Sequence, residues 1–216
     1  MMSEVELSKF LPRTACPRKF ARLDLDGMRP GASGDYLAAL DQIAAIGETL
    51  RSRRFLTEPV FLLLSGPFGS GKTRAACWLL LQAYLGTSDG RCPPGFSPLF
   101  IRVPQLADLR FRSLSGREEE GEDEERRSAT RDRLDSCSLL LIDDVARVAG
   151  YRGEEQFVES VVERRWEDER SVILTGNVDG EADASGKRLP GLSPRFRDFL
   201  RYFEVAALTG GTRRGA

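Results

Sequence analysis

The sequence predicts an α/β protein: a doubly wound parallel five-stranded sheet with helices on both faces. Three observations predict this class. Short continuous apolar runs recur at "PVFLLLSG" (59–66), "SPLFIRV" (97–103), "CSLLLIDDV" (137–145) and "SVILTGN" (171–177). Such unbroken runs suit strands buried on both faces. Segments of helical periodicity alternate with them, and that alternation calls for parallel strands joined by crossover helices. The chain has 216 residues, enough for one well-filled core.

In chain order, residues 1–34 carry Pro, Gly and Arg with little periodicity and are read as an N-terminal arm wrapping the domain at 35–216. "DYLAALDQIAAIGETLRSRR" (35–54) spaces Leu37, Leu40, Ile43, Ala44 and Leu50 as a helix does, with arginines at its carboxyl end. After the strand at 59–66, "KTRAACWLLLQAYL" (72–85) is helical, and the strand at 97–103 follows. The segment "REEEGEDEERR" (117–127) is almost wholly charged and is read as a solvated acidic loop before the strand at 137–145. "GEEQFVESVVERRWEDER" (153–170) is helical, with Phe157, Val158, Val161, Val162 and Trp166 on one side. After the strand at 171–177, "LSPRFRDFLRYF" (192–203) is a short helix and "RYFEVAAL" (201–208) the last strand.

Composition narrows the chemistry. Lys and Arg total 32 against 33 Asp and Glu, so global charge does not announce a nucleic-acid binder. The sequence contains no histidine, which removes the usual metal ligand and the commonest general base. Cys16, Cys77, Cys92 and Cys137 form no CxxC pair and are read as buried thiols. The start "MMSEVELSKF" is unlike a signal peptide, and no apolar run reaches the ~18 residues of a membrane span. The expectation is a cytoplasmic protein with no membrane partner.

The chemistry concentrates at "GPFGSGKT" (66–73), which fits G-x-x-x-x-G-K-[ST] and lies between a predicted strand and a predicted helix. Gly66, Gly69 and Gly71 let the backbone turn tightly and, with Pro67, Phe68 and Ser70 between them, aim successive N–H groups into one concavity. The helix that follows directs its positive dipole end to the same point. Lys72 supplies a mobile cation for β- and γ-phosphates, and the Thr73 hydroxyl can ligate Mg²⁺. "LLLIDD" (139–144) ends in two carboxylates: Asp143 suits Mg²⁺, and Asp144 suits orientation or deprotonation of an attacking water. "ILTGN" (173–177) ends in Asn177, a candidate hydrogen-bond partner for that water or the γ-phosphate. Arg195 and Arg197 in "SPRFRDF" are candidate cations for phosphoryl transfer.

Taken together and in this order, the four pieces resemble AAA+ ATPases, a class of P-loop NTPases, and most nearly the bacterial replicative helicase loaders of the DnaC type and the IstB-like ATPases that assist transposition. "CPRKFARLDLDGMRP" (16–30) resembles the stretch that borders the adenine, "LLLSGPFGSGKT" the Walker A strand and loop, "LLLIDDV" Walker B and "ILTGN" sensor 1. "LSPRF" resembles the arginine-finger segment, which favours Arg195 over Arg197, and "GGTRR" (210–214) is similar to a terminal motif that makes Arg214 a weak sensor-like residue. The resemblance implies an AAA+ core without a substantial C-terminal lid domain, with ATP and Mg²⁺ as cofactors. It further implies ATP hydrolysis in a homo-oligomer, with ATP between subunits and Arg195 reaching a neighbour's γ-phosphate. The implied partners are DNA and a replicative helicase or, for an IstB-like helper, a transposase. The replication-type loader is preferred.

Two other classes compete. A small-molecule or nucleotide kinase shares the phosphate loop but usually adds an arginine-rich lid and an acceptor pocket, and the paired acids with Asn177 suit water activation better. A non-hydrolysing ATP-switched adaptor is the third class, which the retention of Lys72, Thr73, Asp143 and Asp144 does not favour. Arg51, Arg53 and Arg54, and Arg110 with Arg112, are candidate DNA-phosphate contacts, although a surface role suits each better.

Overall fold

A computed structural model describes residues 4–20, 24–87, 98–106, 122–148, 152–177 and 192–209. Its centre is a parallel sheet of β1 (Phe61–Ser65), β2 (Leu99–Arg102), β3 (Leu139–Asp143), β4 (Ser171–Gly176) and β5 (Glu204–Ala207), in the order β2-β3-β4-β1-β5. The register sets Ile142 beside Leu174, Ser65 beside Gly176 and Leu64 beside Ala206. The helices are α1 (Glu4–Thr14), α2 (Gly34–Arg51), α3 (Lys72–Thr87), α4 (Glu122–Ser136), α5 (Arg152–Glu167) and α6 (Pro194–Phe199).

Side chains of successive strand residues point to opposite faces, and here both faces are apolar. Leu62, Leu64, Phe100, Leu139, Leu141, Ile173 and Ala206 join a core with α2 and α3. Leu63, Leu99, Ile101, Leu140, Ile142, Val172 and Leu174 join a second core with Val158 and Val162 of α5 and with Phe196. That is why the strands read as unbroken apolar runs. No described helix is long and apolar enough to cross a membrane.

The order of the strands creates the site. From β1 the chain passes through α3 to the far edge at β2, winds back through β3 and β4, and then skips past β1 to β5. In a parallel sheet with such a reversal, ligands bind at the carboxyl ends of the strands near the switch point. Here those ends carry Gly66, Asp143 with Asp144, and Asn177.

One expectation is corrected. The acidic loop at 117–127 is helical over its second half, because α4 begins at Glu122; residues 117–121 lie outside the described residues. Glu and Arg are good helix formers, and in the sequence Glu122 and Asp123 precede Arg126 and Arg127 by four residues, the favourable order for helical pairs. Within the segment expected as an N-terminal arm, α1 and the stretch after it lie against the domain: Phe10, Cys16, Leu25 and Met28 are buried in the core with α3.

The carboxyl end of α4 is held by arginines. Arg165 is buried and donates to the carbonyls of Leu134 and Cys137 at 3.0 Å and of Ser171 at 3.2 Å, tying α4 to the starts of β3 and β4. Arg170 donates to the carbonyls of Asp135 and Cys137. Cations at a helix carboxyl end meet its negative dipole pole and its unpaired carbonyls.

Candidate functional site

The glycine loop leaves β1 at Ser65 and enters α3 at Lys72. Two of its glycines are required by space as well as by angle. Gly66 has φ 142°, and a Cβ there would lie 2.5 Å from the carbonyl oxygen of Leu208. Gly71 has φ 95°, and a Cβ there would lie 2.6 Å from Met28 Cε. Between them Phe68 is exposed on the crest, Pro67 is half-buried and Ser70 is buried. Tyr36 on α2 donates its hydroxyl to the Ser70 carbonyl at 2.7 Å. The loop therefore rests on Tyr36 and Met28, neither of which the motif reveals.

The charged residues converge on the same edge. Lys72 Nζ donates to the carbonyls of Gly66 at 2.7 Å and Pro67 at 2.8 Å, so its ammonium lies across the mouth of the loop. The Thr73 hydroxyl donates to Asp143 Oδ1 at 2.8 Å. Thr175 Oγ1 donates to the same oxygen at 2.7 Å and accepts from the Asp144 N–H at 2.9 Å. Asp144 adopts a left-handed conformation, φ 67°, and its Oδ2 pairs with Arg147 Nε at 3.0 Å. Burial pushes the Asp144 carboxyl above the usual carboxylate range; Arg147 opposes this, Asp143 adds to it and Lys72 opposes it. Asn177 follows β4 directly, next to the start of the glycine loop, and is half-buried.

These residues fit a divalent cation. A nearly buried carboxylate and a threonine hydroxyl stand at hydrogen-bond distance beneath the loop. The bond leaves the hydroxyl lone pairs available. Both recorded hydroxyl bonds fall on Oδ1 of Asp143, and among the described residues no donor reaches Oδ2.

Arg195 stands apart from this cluster within the chain. On α6 it pairs with two acids of α5, Glu159 at 2.9 Å and Glu163 at 3.3 Å, while its side chain stays 77% exposed. Glu159 is buried, and burial pushes its carboxyl upward against the pull of Arg195. Arg197 is also exposed. Arg214, Cys92, Arg110 and Arg112 lie outside the described residues. Arg53 donates to the Gly86 carbonyl near the end of α3, and Arg51 reaches Gln82, so both have structural partners. Cys16, Cys77 and Cys137 are buried free thiols.

A parallel sheet in this order, with a glycine loop leading from β1 into α3 and paired acids at the end of β3, one strand removed from β1, defines a P-loop domain with the AAA+ fold. No protein-family profile matches the chain. It is 30% identical over 142 residues to an insertion sequence IS1162 protein of Pseudomonas fluorescens, assigned as ATP-binding; the match covers 66% of this chain and 54% of that one. The chain thus spans about half the length of that curated relative. Among solved structures, the DnaC helicase loader superposes with a TM-score of 0.55 at 20% identity, covering 88% of this chain and 99% of that one. DnaI superposes with a TM-score of 0.56 at 19% identity, covering 92% and 94%. Over the 142 matched residues the chain is similar to the IS1162 protein, and its fold is that of the AAA+ domains of DnaC and DnaI.

Proposed function

We propose that the protein binds and hydrolyses ATP with Mg²⁺, and that it works as a homo-oligomeric helicase-loader-like ATPase with ATP between subunits. The observation that carries the reading is the Thr73–Asp143 hydrogen bond, 2.8 Å, at the foot of the glycine loop. It brings together two ligand types that P-loop NTPases use for the metal. ATP is the nucleotide proposed because the IS1162 relative is assigned as ATP-binding.

In this reading the loop N–H groups and the amino end of α3 bind the phosphates. Lys72 exchanges its two carbonyl partners for β- and γ-phosphate oxygens. Thr73 and Asp143 hold Mg²⁺, which when bound neutralises charge on the β- and γ-phosphate oxygens. Asn177 orients a water, and Asp144 accepts its proton as the water oxygen bonds to the γ-phosphorus and the bond to ADP breaks. Arg195 from a neighbouring subunit meets the charge that develops on the γ-phosphoryl oxygens.

Calorimetric titration with ATP and Mg²⁺, followed by phosphate release and light scattering, tests the reading. Binding, turnover without any acceptor and ATP-dependent assembly are expected. Absence of binding heat would overturn it. A second reading, an ATPase that assists transposition, is favoured by the insertion-sequence relative. ATP-dependent coating of duplex rather than single-stranded DNA, compared across salt concentrations, would select it.

A pH dependence follows from Asp144. A carboxylate base works only when ionised, so activity is present above its pKa and lost as pH falls through it. Burial raises that pKa, which places the acid limb of the rate profile above the range of an ordinary aspartate. Arg147→Ala removes the cation that favours the ionised form, so the acid limb should move to higher pH while the rate near pH 8 is kept. A limb that stays in place or moves down would take the proton away from Asp144.

A further inference from the structure

β4, the strand that leads to Asn177, also carries Thr175, a residue to which the motifs assign nothing. We propose that Thr175 is a positioning residue whose single hydroxyl orients the Asp143 carboxylate toward the metal and fixes the backbone turn at Asp144. The inference rests on the reading of Asp143 as a metal-holding residue, and it adds the group that aims it.

The hydrogen positions follow from valence. An ionised carboxylate has no proton to give, so the 2.7 Å bond to Asp143 Oδ1 carries the hydroxyl hydrogen. The Asp144 amide can only donate, so the 2.9 Å bond uses a hydroxyl lone pair. One oxygen is thereby committed to both acids. Its place is rigid: Thr175 is 1% exposed and lies in β4, between β3 and β1, and a β-branched side chain holds its χ1 angle tightly.

Each bond has a distinct task. Thr73 also donates to Asp143 Oδ1, but it must offer its oxygen to the cation. Thr175 is then the hydroxyl that holds the carboxylate whether or not Thr73 turns. Asp144 is a non-glycine residue at φ 67°, a left-handed conformation that is unfavourable for a residue with a side chain and persists where surrounding bonds enforce it. The Asp144 N–H to Thr175 bond enforces it, and so sets where the Asp144 carboxylate departs from the chain.

The test uses the full chain and three variants. Thr175→Val keeps the shape and removes both bonds. Thr175→Ser keeps the hydroxyl and removes a methyl group. Thr175→Cys, with a weak donor, serves if the valine variant does not fold. The first readout is the Mg²⁺ concentration that half-saturates binding of a fluorescent ATP analogue; the second is kcat against KM. Thr175→Val, or Thr175→Cys in its place, should raise the Mg²⁺ requirement by ~10–100-fold, the usual scale for groups that support a metal ligand. It should lower kcat and leave nucleotide affinity in EDTA unchanged. Thr175→Ser should return the Mg²⁺ requirement to within a few-fold of the parent. An unchanged requirement in the valine variant, or in the cysteine variant where valine does not fold, would overturn the proposal, as would a serine variant no better than either. A parent chain whose nucleotide binding ignores Mg²⁺ would instead overturn the metal assignment beneath it, and the inference with it.

Discussion

Replacing Arg195 with alanine should lower ATP turnover at least ~100-fold while ATP binding stays intact; arginine fingers are worth about 10³–10⁵ in rate. The expectation comes from placement. Within its own chain Arg195 bonds Glu159 and Glu163 on α5, and none of the phosphate-loop residues. Its side chain is nevertheless 77% exposed, so a neighbouring subunit can meet it. In the proposed scheme Arg195 acts only on the site of a second copy, so two variants with different defects should complement each other. Arg195→Ala supplies a competent phosphate loop without the cation, and Lys72→Ala supplies the cation without the loop. Mixed in equal amounts, two inactive variants should recover turnover, with about one interface in four competent for random mixing in a head-to-tail ring. Turnover in Arg195→Ala alone at the parent rate would remove the shared-site scheme.

A control separates chemistry from folding. Alanine at 195 leaves Glu159, which is buried, without its cation. Arg195→Lys keeps the charge beside Glu159 but loses the forked geometry that suits phosphate. It should fold as the parent does and still turn over slowly. Full activity in the lysine variant would mean that charge alone suffices.

The parts of this site that local pattern reveals are those made of one continuous stretch. The glycine loop, the strand ending in Asp143 and the strand ending in Asn177 are each legible because burial on both sheet faces writes an unbroken apolar run. What escapes is decided by contacts between distant segments. Tyr36 sits in an ordinary helical pattern, and only packing of α2 beside α3 brings its hydroxyl to Ser70. Arg165 lies in "ERRWEDER" and reads as a surface charge, yet it is buried among the carbonyls that close α4. Thr175 is one hydroxyl in an apolar strand; its role depends on β3 lying beside β4. The second half of the acidic segment shows no apolar stripe, so its helix is written in propensity and charge spacing rather than in periodicity.

Lys72→Ala should act one step earlier than Arg195→Ala, on nucleotide binding itself. Lys72 Nζ already spans the loop through the carbonyls of Gly66 and Pro67, at 2.7 and 2.8 Å. Those neutral acceptors are weaker partners than phosphate oxygens, because hydrogen bonds between ionised groups are shorter and stronger. In the proposed scheme an arriving polyphosphate would draw the ammonium off the carbonyls, which hold it in place beforehand and limit the ordering it must still undergo. Loss of a charge-assisted contact worth ~1.5–3 kcal/mol corresponds to a fall in ATP affinity of ~10–150-fold, measurable by calorimetry. Lys72→Met should behave alike, since it retains the apolar stem without the charge, and its thermal stability should stay close to the parent's because the lost partners are carbonyls at a solvent-facing mouth. Full ATP affinity in both variants would mean that the phosphates do not lie against the loop that opens α3, and that the glycines at 66 and 71 serve packing against Leu208 and Met28 alone.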